Sequence, residues 1–530
     1  MTELVHELIF ASARRTPDGE ALVFQADRIT YAALAKSVMD AANALLARGL
    51  ARGARVAVYL DKCPEAVFAM FGATAAGGVM VPINPLLKAD QVVHILADCN
   101  VAILVTSPER LAVILSVLGH CGDLKTVLVT GSGIGSAAPI GDAIAVINWS
   151  AACVGAKPGF AHRAIDADMA AILYTSGSTG LPKGVVISHR NLVTGAASVV
   201  QYLGNTANDR ILSLLPLSFD YGLSQLTTAF HSGAAVVLLN YLLPRDVLNV
   251  VLAERITGLA AVPPLWLQIA ELAWPAGCSL RYLTNSGGAM PRATLERLRA
   301  RLPGAAVYLM YGLTEAFRST YLPPDEVDRR PDSIGRAIPN VEVLVLRPDG
   351  TCCEPGEPGE LVHRGALVAM GYWNDPVKTA ERFRLCPARP AGLPLAEIAV
   401  WSGDTVRVDA EGYLYFIGRN DEMIKSSGYR ISPTEIEEVL YAQQAVAEAA
   451  AFGMPHAALG QAIVVIVTAR GGERLDVAAL LLACRPHLPT YMVPHQIVLR
   501  QGSLPRNANG KIDRNRLRLE LQQVSAQAAT

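Results

Sequence analysis

The sequence predicts an α/β protein in two parts: a large N-terminal region of several subdomains with parallel-rich sheets and a small barrel-like section, then a compact α+β unit. Three observations carry this. Short β-rich runs alternate with amphipathic stretches between Arg55 and Thr106 and again between Arg210 and Arg255, the rhythm of βαβ units. From Val341 to Arg364 the strands become closely spaced and separated by Pro/Gly turns, which suggests an antiparallel or barrel-like section. Beyond Arg419–Asp421 a self-contained helix and strand pattern begins, about one hundred residues long, an ordinary domain size. We therefore divide the chain into residues 1–420 and 421–530.

Along the N-terminal part, Arg55–Leu60, Val79–Ile83 and Val101–Thr106 read as strands, with helices over Pro64–Thr74 and Ala89–Asp98. The apolar run Ala66–Ile83 is broken by glycines and bounded by Glu65 and Asn84-Pro85, so it reads as a core helix running into a strand, not a membrane span. Met169–Leu173 reads as a buried strand from which a loop leaves the edge of a sheet. The alternation resumes through Arg210–Pro216, Gly222–His231, Ala234–Leu239 and Val247–Arg255. Tyr413–Ile417 is the last strand before the boundary. Ser432-Pro433-Thr434-Glu435 is a capping box with Pro at the first helical position, opening a helix through Tyr441. A strand over Ala462–Thr468 and a helix over Val477–Cys484 complete the unit, and no internal repeat is visible.

A chain of 530 residues that is 51% hydrophobic and 18% charged can bury large cores. A formal net charge of −1 supplies no general field for nucleic acid or an anionic membrane, so binding must come from local sites. Nine scattered cysteines contain no C-x-x-C pair, which argues against a disulfide framework or zinc cluster; vicinal Cys352 and Cys353 fall in a surface-turn composition. The first residues lack the basic start of a secretory signal, and a reducing cytoplasm is the expected location.

The most chemical segment is Tyr174-Thr175-Ser176-Gly177-Ser178-Thr179-Gly180-Leu181-Pro182-Lys183-Gly184. Its glycines let a backbone approach an anion, its Ser and Thr hydroxyls donate hydrogen bonds, and Lys183 adds a mobile charge: a phosphate loop. It is not the Walker pattern, because Pro182 precedes the lysine and Gly184 follows it. This loop resembles the signature of the adenylate-forming superfamily, which comprises acyl-CoA synthetases, adenylation domains of peptide synthetases and luciferases. Four more segments resemble that family's signatures in family order: Tyr311-Gly312-Leu313-Thr314-Glu315, Ser402-Gly403-Asp404, Gly418-Arg419-Asn420-Asp421-Glu422 with Lys425 and Gly428-Tyr429-Arg430, and Asn509-Gly510-Lys511-Ile512-Asp513-Arg514.

The resemblance implies activation of a carboxylate by ATP and Mg²⁺, followed by thioester formation with CoA or a phosphopantetheine arm. Thr175, Ser176, Gly177, Ser178, Thr179, Gly180 and Lys183 would grip the β- and γ-phosphates, and Glu315, with Thr175, would hold Mg²⁺. Gly287, Gly288, Ala289, Tyr311, Gly312 and Thr314 would line the adenine pocket and its surroundings, with Asp404 at the ribose and Arg419 beside it. Lys511 would bridge the substrate carboxylate and α-phosphate. The C-terminal domain of this family rotates between half-reactions; the hinge maps onto Asp421, and Lys425 and Gly428 would line the thiol channel.

For the acid, Phe219 and Asp220 resemble the Phe-Asp pair of amino-acid adenylation domains, whose Asp meets the substrate ammonium. Asp220 also stands where a helix cap would. Ala261, Ser286, Met310, Arg318 and Ser319 would complete the acyl pocket, and Arg318 could instead neutralise Asp220 or Glu315. Two subgroups are resembled equally: stand-alone ligases that load proline onto a carrier protein, and acyl-CoA ligases of exosortase-associated clusters. A small carboxylic acid, leaning to an amino acid, is the expected substrate, with a fatty or aryl acid as the alternative and a non-catalytic nucleotide-binding protein as the remote one. No carrier domain follows Lys511, so a separate molecule is expected to bring the thiol.

Overall fold

A computed structural model describes residues 2–528 apart from 132–139, 141–143, 155, 158, 176–181, 389–391, 393, 420–421, 427–428, 457–458, 472, 489 and 508–509. Among the described residues the strands form sheets of fourteen, eight and five. The eight-stranded sheet contains the parallel strands Arg55–Tyr59, Val79–Pro82, Val101–Thr106, Thr126–Val129 and Ala145–Asn148. Their nearly continuous Val, Ile and Leu runs suit strands covered on both faces. The helix Pro64–Ala75 is buried almost all round, and its Gly72 permits a tight crossing: a Cβ there would stand 2.7 Å from that of Ala41 in the helix Tyr31–Ala47. The apolar run Ala66–Ile83 is thus a core helix leading into the strand Val79–Pro82, and among the described residues no helix is long and apolar enough to cross a membrane.

The strand before the phosphate loop, Met169–Thr175, does not lie at the sheet edge. It pairs antiparallel with Lys183–Ser188 and parallel with Val79–Pro82. Its fully buried centre, Ala170–Leu173, needs neighbours on both sides.

In the large sheet, Gly258–Ala261, Tyr282–Asn285 and Ala306–Leu313 run parallel and in register, so their carboxyl ends emerge together. Phe317–Leu322 then turns back antiparallel on Ala306–Leu313. The antiparallel strands Val341–Leu346, Gly359–Gly365, Ile398–Val408 and Leu414–Arg419 extend this sheet through Ser333–Ala337. The expected barrel-like section is therefore an antiparallel extension that no pairing among the described residues closes.

The five-stranded sheet, beginning at Ile424–Ser426, has its own core around Ile436, Leu440, Val465 and Ile497. The helix Pro433–Tyr441 forms as its sequence requires, but the capping box does not: Ser432 makes no cap bond and its hydroxyl is buried without a hydrogen-bond partner. Glu437 on this helix is buried instead against Arg514 at 2.7 Å and accepts from the Ala451 amide at 2.7 Å. The C-terminal unit touches the N-terminal region through Arg470, which lies 2.5 Å from Glu271, a carboxylate also held by Arg297. A second contact is the Arg292 amide, which donates to Glu438 at 3.0 Å.

Candidate active site

Parallel sheets open their clefts at the carboxyl ends of strands, where the chain leaves hydrogen-bonded order and can present side chains. Here Val262, Ser286–Gly288 and Tyr311–Thr314 follow or close three neighbouring strands. The Asn285 side-chain amide donates to the Gly288 carbonyl at 3.0 Å and holds the loop in shape. Gly287 has φ of 82°, a left-handed conformation that favours glycine. Its backbone faces across the cleft to the C-terminal unit, since a Cβ there would stand 3.7 Å from Cε of Lys511.

Lys511 is carried on a tight turn. Its amide donates to Asn507 Oδ1 at 3.0 Å, the Asn507 amide donates to the Lys511 carbonyl at 2.8 Å, and Gly510 turns with φ of 79°. The residue retains access to water, yet protein surrounds the amine on most sides. Burial and the nearby Arg419 guanidinium lower its pKa, while Asp220, Asp404 and Glu422 oppose them. A single lysine from the far end of the chain thus feels both carboxylates that the sequence singles out.

Asp404 and Arg419 are cross-strand partners, with 3.5 Å between guanidinium and carboxylate. Tyr311 donates its hydroxyl to the other Asp404 oxygen and stacks on His363, ring centres 6.1 Å apart. Burial pushes the Asp404 carboxyl upward, opposed first by Arg419. Asp404 Oδ1, the oxygen facing Arg419, is buried and accepts no hydrogen bond among the described residues, so it can still accept one from a ligand hydroxyl.

At the phosphate end, Tyr372 connects two expected residues. Lys183 donates to the Tyr372 hydroxyl at 2.9 Å, and that hydroxyl donates to Glu315 at 2.5 Å; Lys183 itself is 3.5 Å from Glu315. Burial lowers the Lys183 pKa against the pull of Glu315. Thr175 closes its strand with a buried hydroxyl that has no hydrogen-bond partner among the described residues. Ser176, Gly177, Ser178, Thr179 and Gly180 lie outside the described residues, as do Asp421 and Gly428; Lys425 lies in the strand Ile424–Ser426, its side chain outside them. Among the described residues no cluster of three or more His, Cys, Asp or Glu could cage a metal.

The acyl side gathers Phe219, Tyr221, Val262 and Met310 with Tyr202, Tyr308 and Tyr321 in one cluster. Met310 accepts a hydrogen bond from Tyr202 at 3.0 Å. Asp220 opens the helix Asp220–Ser232 at its first residue, 8% exposed, and no side-chain cap bond forms at that helix start. Burial raises its carboxyl above the usual range, opposed first by Arg318. Ser286 and Ser319 are buried, the latter donating to the Ala316 carbonyl at 3.4 Å. Ala261 is misplaced by the sequence reading. Side chains alternate along a strand, so Ala260 and Val262 join the tyrosine cluster while Ala261 packs with Leu265 and Trp266 in the adjoining core. Ala289 is exposed beside the glycine loop, whereas Thr314 is buried next to Glu315. Gly312 sits in a bulged pairing, where a Cβ would meet the Phe317 carbonyl at 2.3 Å.

Sequence reasoning missed Tyr372, Tyr202 and Arg382. The last donates to the Trp401 carbonyl at 3.2 Å and adds positive charge around Lys183 and Asp404. The only signal for Tyr372 was an aromatic beside Gly371 in a short strand.

A family model described as AMP-binding enzyme matches residues 9–373, and one described as AMP-binding enzyme C-terminal domain matches residues 435–511. The chain is 34% identical over 518 residues to L-proline--[L-prolyl-carrier protein] ligase of Streptomyces coelicolor, covering 93% of this chain and 92% of that one. It is 29% identical to bacitracin synthase 3 of Bacillus licheniformis across 97% of its own length, which spans 8% of that much longer protein. Among solved structures, ATP-bound MatB of Rhodopseudomonas palustris superposes with a TM-score of 0.87 at 28% identity, covering 99% of this chain and 100% of that one.

Proposed function

The chain belongs to the AMP-binding enzyme family, and on that premise we propose that it is an ATP-dependent, AMP-forming acid–thiol ligase acting on a small acid, an amino acid first among them. The observation that carries the reading is the approach of Lys511 to the Gly287 backbone across the cleft between the two parts of the chain, where its amine feels the charges of Asp220 and Asp404. A carboxylate is a poor acyl donor because its oxygen leaves badly. In the first half-reaction it attacks the α-phosphorus of ATP, the bond to the bridging oxygen breaks, and pyrophosphate departs with the electron pair. Lys511 offsets negative charge as it builds between the carboxylate and the α-phosphate. Asp404, whose Oδ1 faces Arg419 without a hydrogen bond, receives ribose hydroxyls, and Tyr311 presents its ring to adenine.

Glu315 and the unpartnered Thr175 hydroxyl fit Mg²⁺, which takes few protein oxygens and completes its shell with phosphates and water. The ion would supply charge neutralisation of the pyrophosphate. In the second half-reaction a pantetheine thiolate, on CoA or a carrier protein, attacks the acyl carbon and AMP leaves. Asp421 is the proposed hinge that exchanges Lys511 for the thiol channel at Lys425 and Gly428, and residues 1–420 and 421–530 are the two bodies it joins.

The test is acid-dependent exchange of labelled pyrophosphate into ATP, with AMP released on adding thiol. Formation of ADP and phosphate instead would overturn the proposal.

A further inference from the structure

Arg318 is a guanidinium in an unusual place. It is 3% exposed, lies over the rings of Tyr221 at 4.5 Å and Phe317 at 5.7 Å, donates to the Tyr221 carbonyl at 3.4 Å, and has the Tyr202 hydroxyl beside it as a second neutral acceptor. Its Nε is buried with no hydrogen-bond partner, and it forms no ion pair among the described residues. A guanidinium carries five donors and cannot discard its charge by losing a proton, so such burial is costly until an anion arrives. The Tyr202 hydroxyl beside it donates to Met310 at 3.0 Å and offers its oxygen to the guanidinium, a neutral acceptor that leaves the charge without a counter-ion. Asp220 is close enough to feel Arg318 electrostatically but does not pair with it. The pocket therefore offers three fixed charges around the tyrosine cluster: a cation at Lys511, an anion at Asp220 and a second cation at Arg318.

We propose that the acyl pocket is built for a compact acidic α-amino acid, whose side-chain carboxylate is received by Arg318. The assignment rests on the ligase reading above and names its substrate class. The reacting carboxylate meets Lys511, the ammonium meets Asp220, and the second carboxylate accepts two parallel hydrogen bonds from the guanidinium, the geometry that arginine matches best. No charge is then left buried alone. A proline-like or alkyl acid would leave Arg318 unanswered, and a dicarboxylic acid without an amine would leave Asp220 so.

The experiment is pyrophosphate exchange by the full chain on aspartate, glutamate, proline, alanine, succinate, a fatty acid and an aryl acid. Aspartate or glutamate should give the highest kcat/KM, at least about tenfold above proline and succinate, in line with the loss from an unpaired buried charge. Arg318→Leu should lower kcat/KM for the acidic substrate about 10²-fold and leave the KM for ATP unchanged. Arg318→Glu should move preference toward a basic amino acid. Melting curves establish that each variant is folded, and the wild-type ranking stands as a test should neither fold. If proline, alanine, succinate, or a fatty or aryl acid ranks first, Arg318 merely balances Asp220 and the inference is overturned while the ligase reading stands. Absence of exchange with every acid would remove both.

Discussion

Lys511 stands at the end of a turn held by local hydrogen bonds among the described residues, so its side chain can be lost without disturbing either core. Lys511→Ala should therefore depress adenylate formation by ~10²–10³, the usual worth of a preformed cation at developing charge, and spare thioester formation from supplied adenylate. Rapid-quench measurement of the two half-reactions checks this; equal loss in both would mean that the lysine has no separate role. Lys511, Glu315 and Asp404 were legible in the sequence because each sits in a short local motif. Tyr372 was not, because it meets Lys183 only through a contact 189 residues apart along the chain. Arg318 was visible as an odd residue, but its lack of an ion pair is a property of the packed pocket and could not be read from spacing.

At the scale of elements, local pattern served well where one face or one run decides the structure. The strand Val101–Thr106 and the helices Ala89–Asp98 and Val477–Cys484 have the bounds that periodicity predicts. It failed where pairing is long-range. Ser333–Ala337 pairs with Leu414–Arg419 across some eighty residues, and nothing local announces that the antiparallel extension joins the parallel sheet there. Ser432 failed for a related reason: burial against the folded unit overrode the cap that its sequence favours. Asp421 falls between Leu414–Arg419 and Ile424–Ser426, the last strand of one sheet and the first of another. Asp421→Pro, by fixing φ, should leave pyrophosphate exchange near wild type and abolish thioester formation. A mutant that performs both steps at the normal rate would show that rotation does not pass through this residue.

For the whole molecule, acid stability follows from three buried histidines. Burial lowers His6 to about 4, His189 to about 4 and His363 to about 3, against the ordinary 6.5. The Val5 amide donates to His189 Nδ1 at 3.1 Å, and neither His363 nitrogen has a partner, so the folded state keeps these rings neutral. Below pH 6.5 the unfolded chain takes up protons that the folded chain refuses. Stability is thus full above pH 6.5 and falls on acidification toward pH 4, by up to about 1.4 kcal/mol per pH unit for each ring. Denaturant midpoints at pH 7.5, 6 and 5 read this directly, and a flat profile would show that the rings protonate in place. The triple variant with Gln at these positions should flatten the profile.

Glu271 would bear on the rotation proposed for the two parts of the chain. Because Arg297 shares this carboxylate with Arg470, departure of the C-terminal unit does not strand a lone charge; Glu271 keeps one partner and Arg470 returns to water from a surface already 32% exposed. Exposed pairs of this kind contribute about 0–1 kcal/mol, so the contact tilts the population ratio of the two poses by no more than about fivefold. Under the proposed rotation, occupancy would be left to the ligands, with ATP and acid drawing the chain one way and the adenylate with its thiol drawing it the other, and ionic strength would be a fine control on how long the empty protein waits in each.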